Sequence, residues 1–171
     1  MSKHAADPGT AQAFVETRRA RIADAVARPL SPAASDTDPL SPERLAFFRK
    51  EAEDLYWNEL AWEELTDEEL VVGGHLTEMV FPGFLAFVEA LLVDRAPVDS
   101  LALARPHPDA VEEILTFLGE RCAETSAQLE AGVDSQRVVW ARLMTCHLVD
   151  LVLYRLHGLT PAERERLEDA R

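Results

Sequence analysis

The sequence predicts an all-α protein: a single helical bundle of four main helices, with a short C-terminal helix and a proline-tethered N-terminal helix. Three observations predict it. Apolar residues recur at three- and four-residue steps through most of the chain after Ser41, the spacing of one helix face. No segment alternates apolar and polar residues as a half-buried strand would. Prolines and capping residues stand where helices should begin, and glycines where two of them should stop.

Three parts are read along the chain. Residues 1–28 form an N-terminal arm whose helix, Thr10 to Ala27, has a thin apolar stripe of Phe14, Val15, Ile22 and Val26. Arg18, Arg19, Arg21 and Arg28 make it the one locally basic element. Residues 29–42 are a linker with four prolines in fourteen positions, extended and semi-stiff. Residues 43–171 are an acidic helical-bundle domain.

Within that domain, Ser41-Pro42-Glu43 supplies an N-cap, a first-turn proline and an early acid for a helix expected to run to about Leu65. Leu45, Phe48, Ala52, Leu55 and Trp62 form its stripe. Thr66 to Glu69 is a capping box for the second helix. That helix should kink, or divide, at Gly73-Gly74 and Pro82, and end near Asp94. Residues 95–106 are a connection. Pro108 starts a third helix, stopped by Gly132, with a stripe of Val111, Ile114, Leu115, Leu118, Cys122 and Leu129. A fourth runs from about Asp134 to His157, stopped by Gly158. Thr160-Pro161-Ala162-Glu163 is a capping box for the short last helix. The second and fourth helices are apolar on most sides, so they are expected to be central or to keep a face for a partner; oligomerisation follows as an expectation.

Charge excludes some functions. The chain of 171 residues carries a formal net charge of −14. Residues 1–40 hold five basic and five acidic side chains, so the rest carries the whole excess. Such a surface repels phosphate backbones and anionic membrane surfaces, so nucleic acid is not an expected partner. No segment suits membrane insertion, since the greasiest run, Met79 to Val93, is broken by Pro82 and carries Glu89. Cys122 and Cys146, 24 positions apart, make no disulfide framework and suit a reducing cytoplasm. Both read as small core residues without an electropositive setting.

The stretch Glu51 to Glu69 holds nine carboxylates and no Lys or Arg, with Tyr56, Trp57 and Trp62 among them. Trp57 falls on the flank opposite the main stripe, beside Glu53, Asp54, Asn58 and Glu64. That is a docking surface for a basic segment, from a protein partner or from the chain's own Arg18, Arg19 and Arg21. The leading functional expectation is therefore a non-catalytic protein–protein interaction or assembly module, with self-association included and no cofactor.

Two alternatives use other residues. His75 with Glu78, His147 with Asp150, and Glu59 inside an apolar stripe would hold a transition metal such as Fe, Mn or Zn if they converged. The pairs run His-x-x-acid, the reverse of the carboxylate-bridged di-iron pattern, and acids at 31 of 171 positions make such pairs commonplace. A pocket at the second-helix kink, lined by His75, Glu78, Phe81 and Phe84, would suit a small ligand. His147, Asp150, Tyr154 and His157 share a face at steps of 3, 4 and 3, expected to be the polar, solvent-facing side of the fourth helix. No nucleophile elbow or phosphate loop is present.

Overall fold

Pro8, Pro42, Pro82, Pro108 and Pro161 each occupy the first position of a helix, where the missing N–H costs nothing and the fixed φ suits the first turn. The computed structural model describes residues 8–32, 39–60, 74–93, 106–132 and 136–169, with the side chains of residues 8, 74–76 and 168 also outside the description. Among the described residues every regular element is helical. They are α1 (Pro8–Val26), α2 (Pro42–Leu60), α3 (Gly74–Val80), α4 (Pro82–Leu92), α5 (Pro108–Glu130), α6 (Gln136–Leu156) and α7 (Pro161–Asp169). The expected capping box at Thr66 to Glu69, Trp62 and Gly73 lie outside the described residues.

The kink is a full break. Phe81, with φ −117° and ψ 48°, separates α3 from α4, and Pro82 restarts the helix. No N-cap side chain serves α4 locally. Glu59 of α2 does so from a distance: its two carboxylate oxygens accept the Gly83 and Phe84 N–H groups at 2.6 and 3.0 Å. A carboxylate at a helix N-terminus satisfies orphan donors and complements the dipole.

The C-terminal stops are explicit. Gly158 has φ +59° and donates to the Arg155 carbonyl, while Leu159 donates to that of Tyr154, the Schellman pattern. The Thr160 capping box closes reciprocally: the Thr160 N–H reaches Glu163 at 3.0 Å and the Glu163 N–H reaches the Thr160 hydroxyl at 3.2 Å. Helix α1 ends in the same Schellman geometry with an alanine in the glycine position, Ala27 at φ +57°. Left-handed alanine is strained, so Ala27→Gly is expected to raise stability by about 1 kcal/mol in denaturant unfolding.

The centre of the bundle is α5, which packs against α1, α2, α4 and α6. The sequence pattern points instead to the second and fourth helices. The physical reason lies in the acids of α5, which meet arginines from neighbouring helices. Glu112 is held by Arg19 of α1, and Glu113 and Glu120 by Arg49 of α2. Paired in this way, charged side chains occupy helix interfaces without the cost of bare burial.

Helix α1 packs on α5, α6 and α7. Its inner face is Ala11, Val15, Arg19, Ile22 and Val26, all buried. The approach to α5 is close at Gly119, where an added Cβ would sit 2.5 Å from the Ala11 carbonyl oxygen. Backbone cannot yield as a side-chain tip does. Gly119→Ala is therefore expected to cost about 1–2 kcal/mol despite alanine's better helix propensity, as read by thermal or denaturant unfolding.

On the other side of α5, Tyr56 is fully buried in an aromatic cluster. It stacks on Phe81 at 5.6 Å, meets Phe117 edge-on at 5.3 Å, and hydrogen-bonds to Thr145 at 2.8 Å. The α2 stripe therefore runs Phe48, Ala52, Tyr56, with Leu45 and Leu55 on its shoulder. No helix among the described residues is long and apolar enough to cross a membrane.

Candidate functional site

The most distinctive surface feature lies where α2, α5 and α6 meet around Trp57. Tyr56 turns inward, so its neighbour Trp57 must turn outward, and it remains 47% exposed. The guanidinium of Arg121, on α5, stands 4.4 Å from the Trp57 ring centroid and also hydrogen-bonds Glu124. Its Nε is buried without a partner among the described residues. Trp57, Leu60, Arg121, Arg137, Val138 and Ala141 are among the residues lining a cleft of about 250 Å³. Beyond Val138, the first half of α6 exposes Val139 and Leu143, one helical turn apart and each about half exposed.

The acids expected around Trp57 are mostly committed within their own helix. Glu53 pairs with Arg49 at 2.9 Å and Asp54 with Lys50 at 2.9 Å. Glu64 lies outside the described residues. The charged group shown against the indole is Arg121, and Arg137 lines the same cleft.

The arginines of α1 do not point to that patch. Arg18 makes a two-oxygen contact with Asp150 of α6 at 2.9 and 3.0 Å. Arg19, with a side chain 2% exposed, holds Glu112 at 2.6 and 2.8 Å, contacts Glu16, and donates through Nε to Nε2 of His157 at 3.1 Å. Arg28 holds Glu163 of α7 and the His157 carbonyl. Arg21 is exposed.

The row His147, Asp150, Tyr154, His157 is therefore internal, contrary to the solvent-facing reading. Asp150 and Tyr154 are buried, and His147 Nδ1 meets the buried Thr77 hydroxyl at 2.8 Å. The reason is the placement of α1 and α3 on α6, with Arg164 of α7 over the Tyr154 ring. His157 accepts from Arg19, so its Nε2 carries no proton. Burial, then the positive charges of Arg19 and Arg28, hold its pKa below the ordinary 6.5, while Glu112 opposes this. Depression means the unfolded chain takes the proton first. The stability His157 contributes is fully present above about pH 6.5 and is lost as the pH falls through its folded value. His157→Gln is expected to flatten unfolding free energy between pH 7.5 and 5 relative to the parent, measured by denaturant titration.

The metal-candidate residues are not gathered. Glu59 caps α4, Asp150 is held by Arg18, and Glu78 lies 3.8 Å from Arg155. The His75 side chain lies outside the described residues. Among the described residues no group of three or more His, Cys, Asp or Glu side chains is placed to hold one ion. At the α3–α4 break, Phe81 and Phe84 are fully buried and packed edge-on at 6.3 Å.

One constellation was missed. Cys122 and Cys146 bring their sulfurs to 3.5 Å across the α5–α6 interface. The positive charge of Arg18 acts on Cys146 and favours its ionised form. The signal available in sequence was registry: Cys122 and Cys146 are equidistant from Asp134, as are Ser126 and Arg142, which are hydrogen-bonded at 3.0 Å. Helices α5 and α6, packed antiparallel, place the members of each pair opposite one another.

Compared with protein-family models, curated proteins and solved structures, the chain matches none.

Proposed function

We propose that this chain is a non-catalytic interaction and assembly module whose docking face is the Trp57 cleft together with the exposed first half of α6. The single observation that supports this best is Trp57 itself: a large aromatic side chain, 47% exposed, on the rim of a cleft and roofed by Arg121. Aromatic residues and arginine in such a setting dominate interface energetics. Val139 and Leu143 are exposed apolar side chains on the same half of α6.

The occupant that this surface suits first is a second copy of the chain. Arg121 and Arg137 both line the cleft, on a molecule whose net charge is −14. Two-fold pairing, which sets one patch against its own copy, is the commonest assembly and would bring the two Trp57 side chains into one seam. The two free cysteines suit a reducing cytoplasm as the setting.

Sedimentation velocity between about 1 µM and 1 mM tests this. A concentration-dependent dimer is expected, and Leu143→Asp should abolish it while leaving the fold intact, because Leu143 is 52% exposed. A parent protein that stays monomeric over that range would overturn self-association.

A further inference from the structure

The pair Cys122 and Cys146 lies outside the docking face and carries chemistry of its own. Cys146 sits on α6 one turn before Asp150, to which Arg18 reaches across from α1, so that the guanidinium charge also acts on Cys146. The guanidinium is fixed from several sides: Asp150 grips it through two oxygens, and the Phe14 ring lies 5.1 Å beneath it. Its Nε is buried and has no partner among the described residues. Arg142, one turn on the other side of Cys146, adds a second positive charge nearby. Cys122 is completely buried, whereas Cys146 keeps a thin solvent edge at 9% exposure. The two thiols therefore differ in access as well as in electrostatics.

We propose that Cys146 and Cys122 form a dithiol site that reduces a small hydroperoxide, with Cys146 as the attacking thiolate, Cys122 as the resolving thiol and Arg18 as the residue that positions and stabilises the anion. The acidity of the two groups agrees with this division. A hydrogen bond from Cys122, then the charges of Arg18 and Arg142, lower the Cys146 pKa against the opposing effect of burial; burial raises that of Cys122. A thiolate carries no proton, so once Cys146 is ionised the S–H between the sulfurs belongs to Cys122.

The steps balance. The Cys146 thiolate attacks one peroxide oxygen, the O–O bond breaks, and hydroxide (or alkoxide) leaves and takes a proton from solvent. Cys146 is then a sulfenic acid. Cys122 attacks its sulfur, an S–S bond forms, and the sulfenic oxygen leaves with the Cys122 proton as water. Two thiols lose two electrons and one peroxide gains them. An external dithiol restores the reduced pair. From 3.5 Å the sulfurs must close to about 2.05 Å, a side-chain movement without helix displacement.

The test treats the full chain at neutral pH with one equivalent of hydrogen peroxide and reads the product by peptide mass spectrometry. The expected product is a Cys122–Cys146 disulfide that dithiothreitol reverses. In Cys122→Ser, dimedone should trap a sulfenic acid at Cys146; in Cys146→Ser, Cys122 should stay unlabelled. Arg18→Met combined with Asp150→Leu removes the cation without stranding its partner, and should slow Cys146 labelling about tenfold or more. No disulfide in the parent, or labelling of Cys122 in preference to Cys146, would overturn the site. An unchanged rate in the double variant would overturn the role of Arg18.

Discussion

Asp150→Ala is expected to lower the unfolding free energy by about 3 kcal/mol. The carboxylate side chain is 7% exposed and binds Arg18 through both oxygens, so its removal leaves a guanidinium wedged between α1 and α6 without its counter-ion. The low end of the range for a broken buried pair applies because Arg18 retains 21% of its surface and can turn partly toward water. Asp150→Asn keeps an acceptor and should cost distinctly less. The Arg18→Met/Asp150→Leu pair should return to within about 2 kcal/mol of the parent, since apolar replacement of a buried ion pair is often neutral or better. A loss below about 1 kcal/mol in Asp150→Ala would show that this pair behaves as an ordinary surface contact.

Glu112→Ala is the second large effect, again about 3 kcal/mol. Arg19 is the largest fully buried side chain among the described residues and stands in the middle of the apolar face of α1. Glu112 binds it with both oxygens; Glu16 and the neutral His157 complete its shell. Losing Glu112 leaves Arg19 to a half-exposed Glu16 and a histidine that has no charge to offer. It also removes the one group raising the His157 pKa, so His157 should titrate at a lower pH than in the parent, measurable by NMR. A double-mutant cycle with Arg19→Met isolates the pair from the packing of the long side chain. A coupling energy near zero would contradict the assigned geometry.

Much of the fold was legible because helix punctuation is local chemistry. Pro42, Pro108 and Pro161 mark starts, Gly132 and Gly158 mark stops, and the Thr160 capping box forms both of its reciprocal bonds. Pro82 announces the break after Phe81. Helix packing was less legible, because it depends on long-range pairs. Arg19 looks like an interruption in a thin apolar stripe until Glu112, 93 positions away, is placed beside it. The acids of α5 concealed its central position for the same reason. Glu59 reads in sequence as a carboxylate inside an apolar stripe; its partners are backbone N–H groups of α4, which no side-chain pattern reveals.

The candidate site divides in the same way. An outward Trp57 follows from the α2 periodicity, since Phe48, Ala52 and Tyr56 use the inner face. Its cationic roof does not follow, because Arg121 belongs to another helix more than sixty positions on. The cysteine pair lies in between. The antiparallel register of α5 and α6 could have been read from symmetry about Asp134, whereas Arg18 arrives from α1, a helix whose docking the charge pattern alone did not direct to α6.

Amide hydrogen exchange on dilute and concentrated samples tests the docking face most directly. If a second copy covers the Trp57 cleft, exchange should slow with concentration along the first half of α6, around Val139 and Leu143, and at the Trp57 end of α2, and it should not slow in Leu143→Asp. Exchange independent of concentration in those segments, or protection confined to another face of the bundle, would contradict the assignment of that surface.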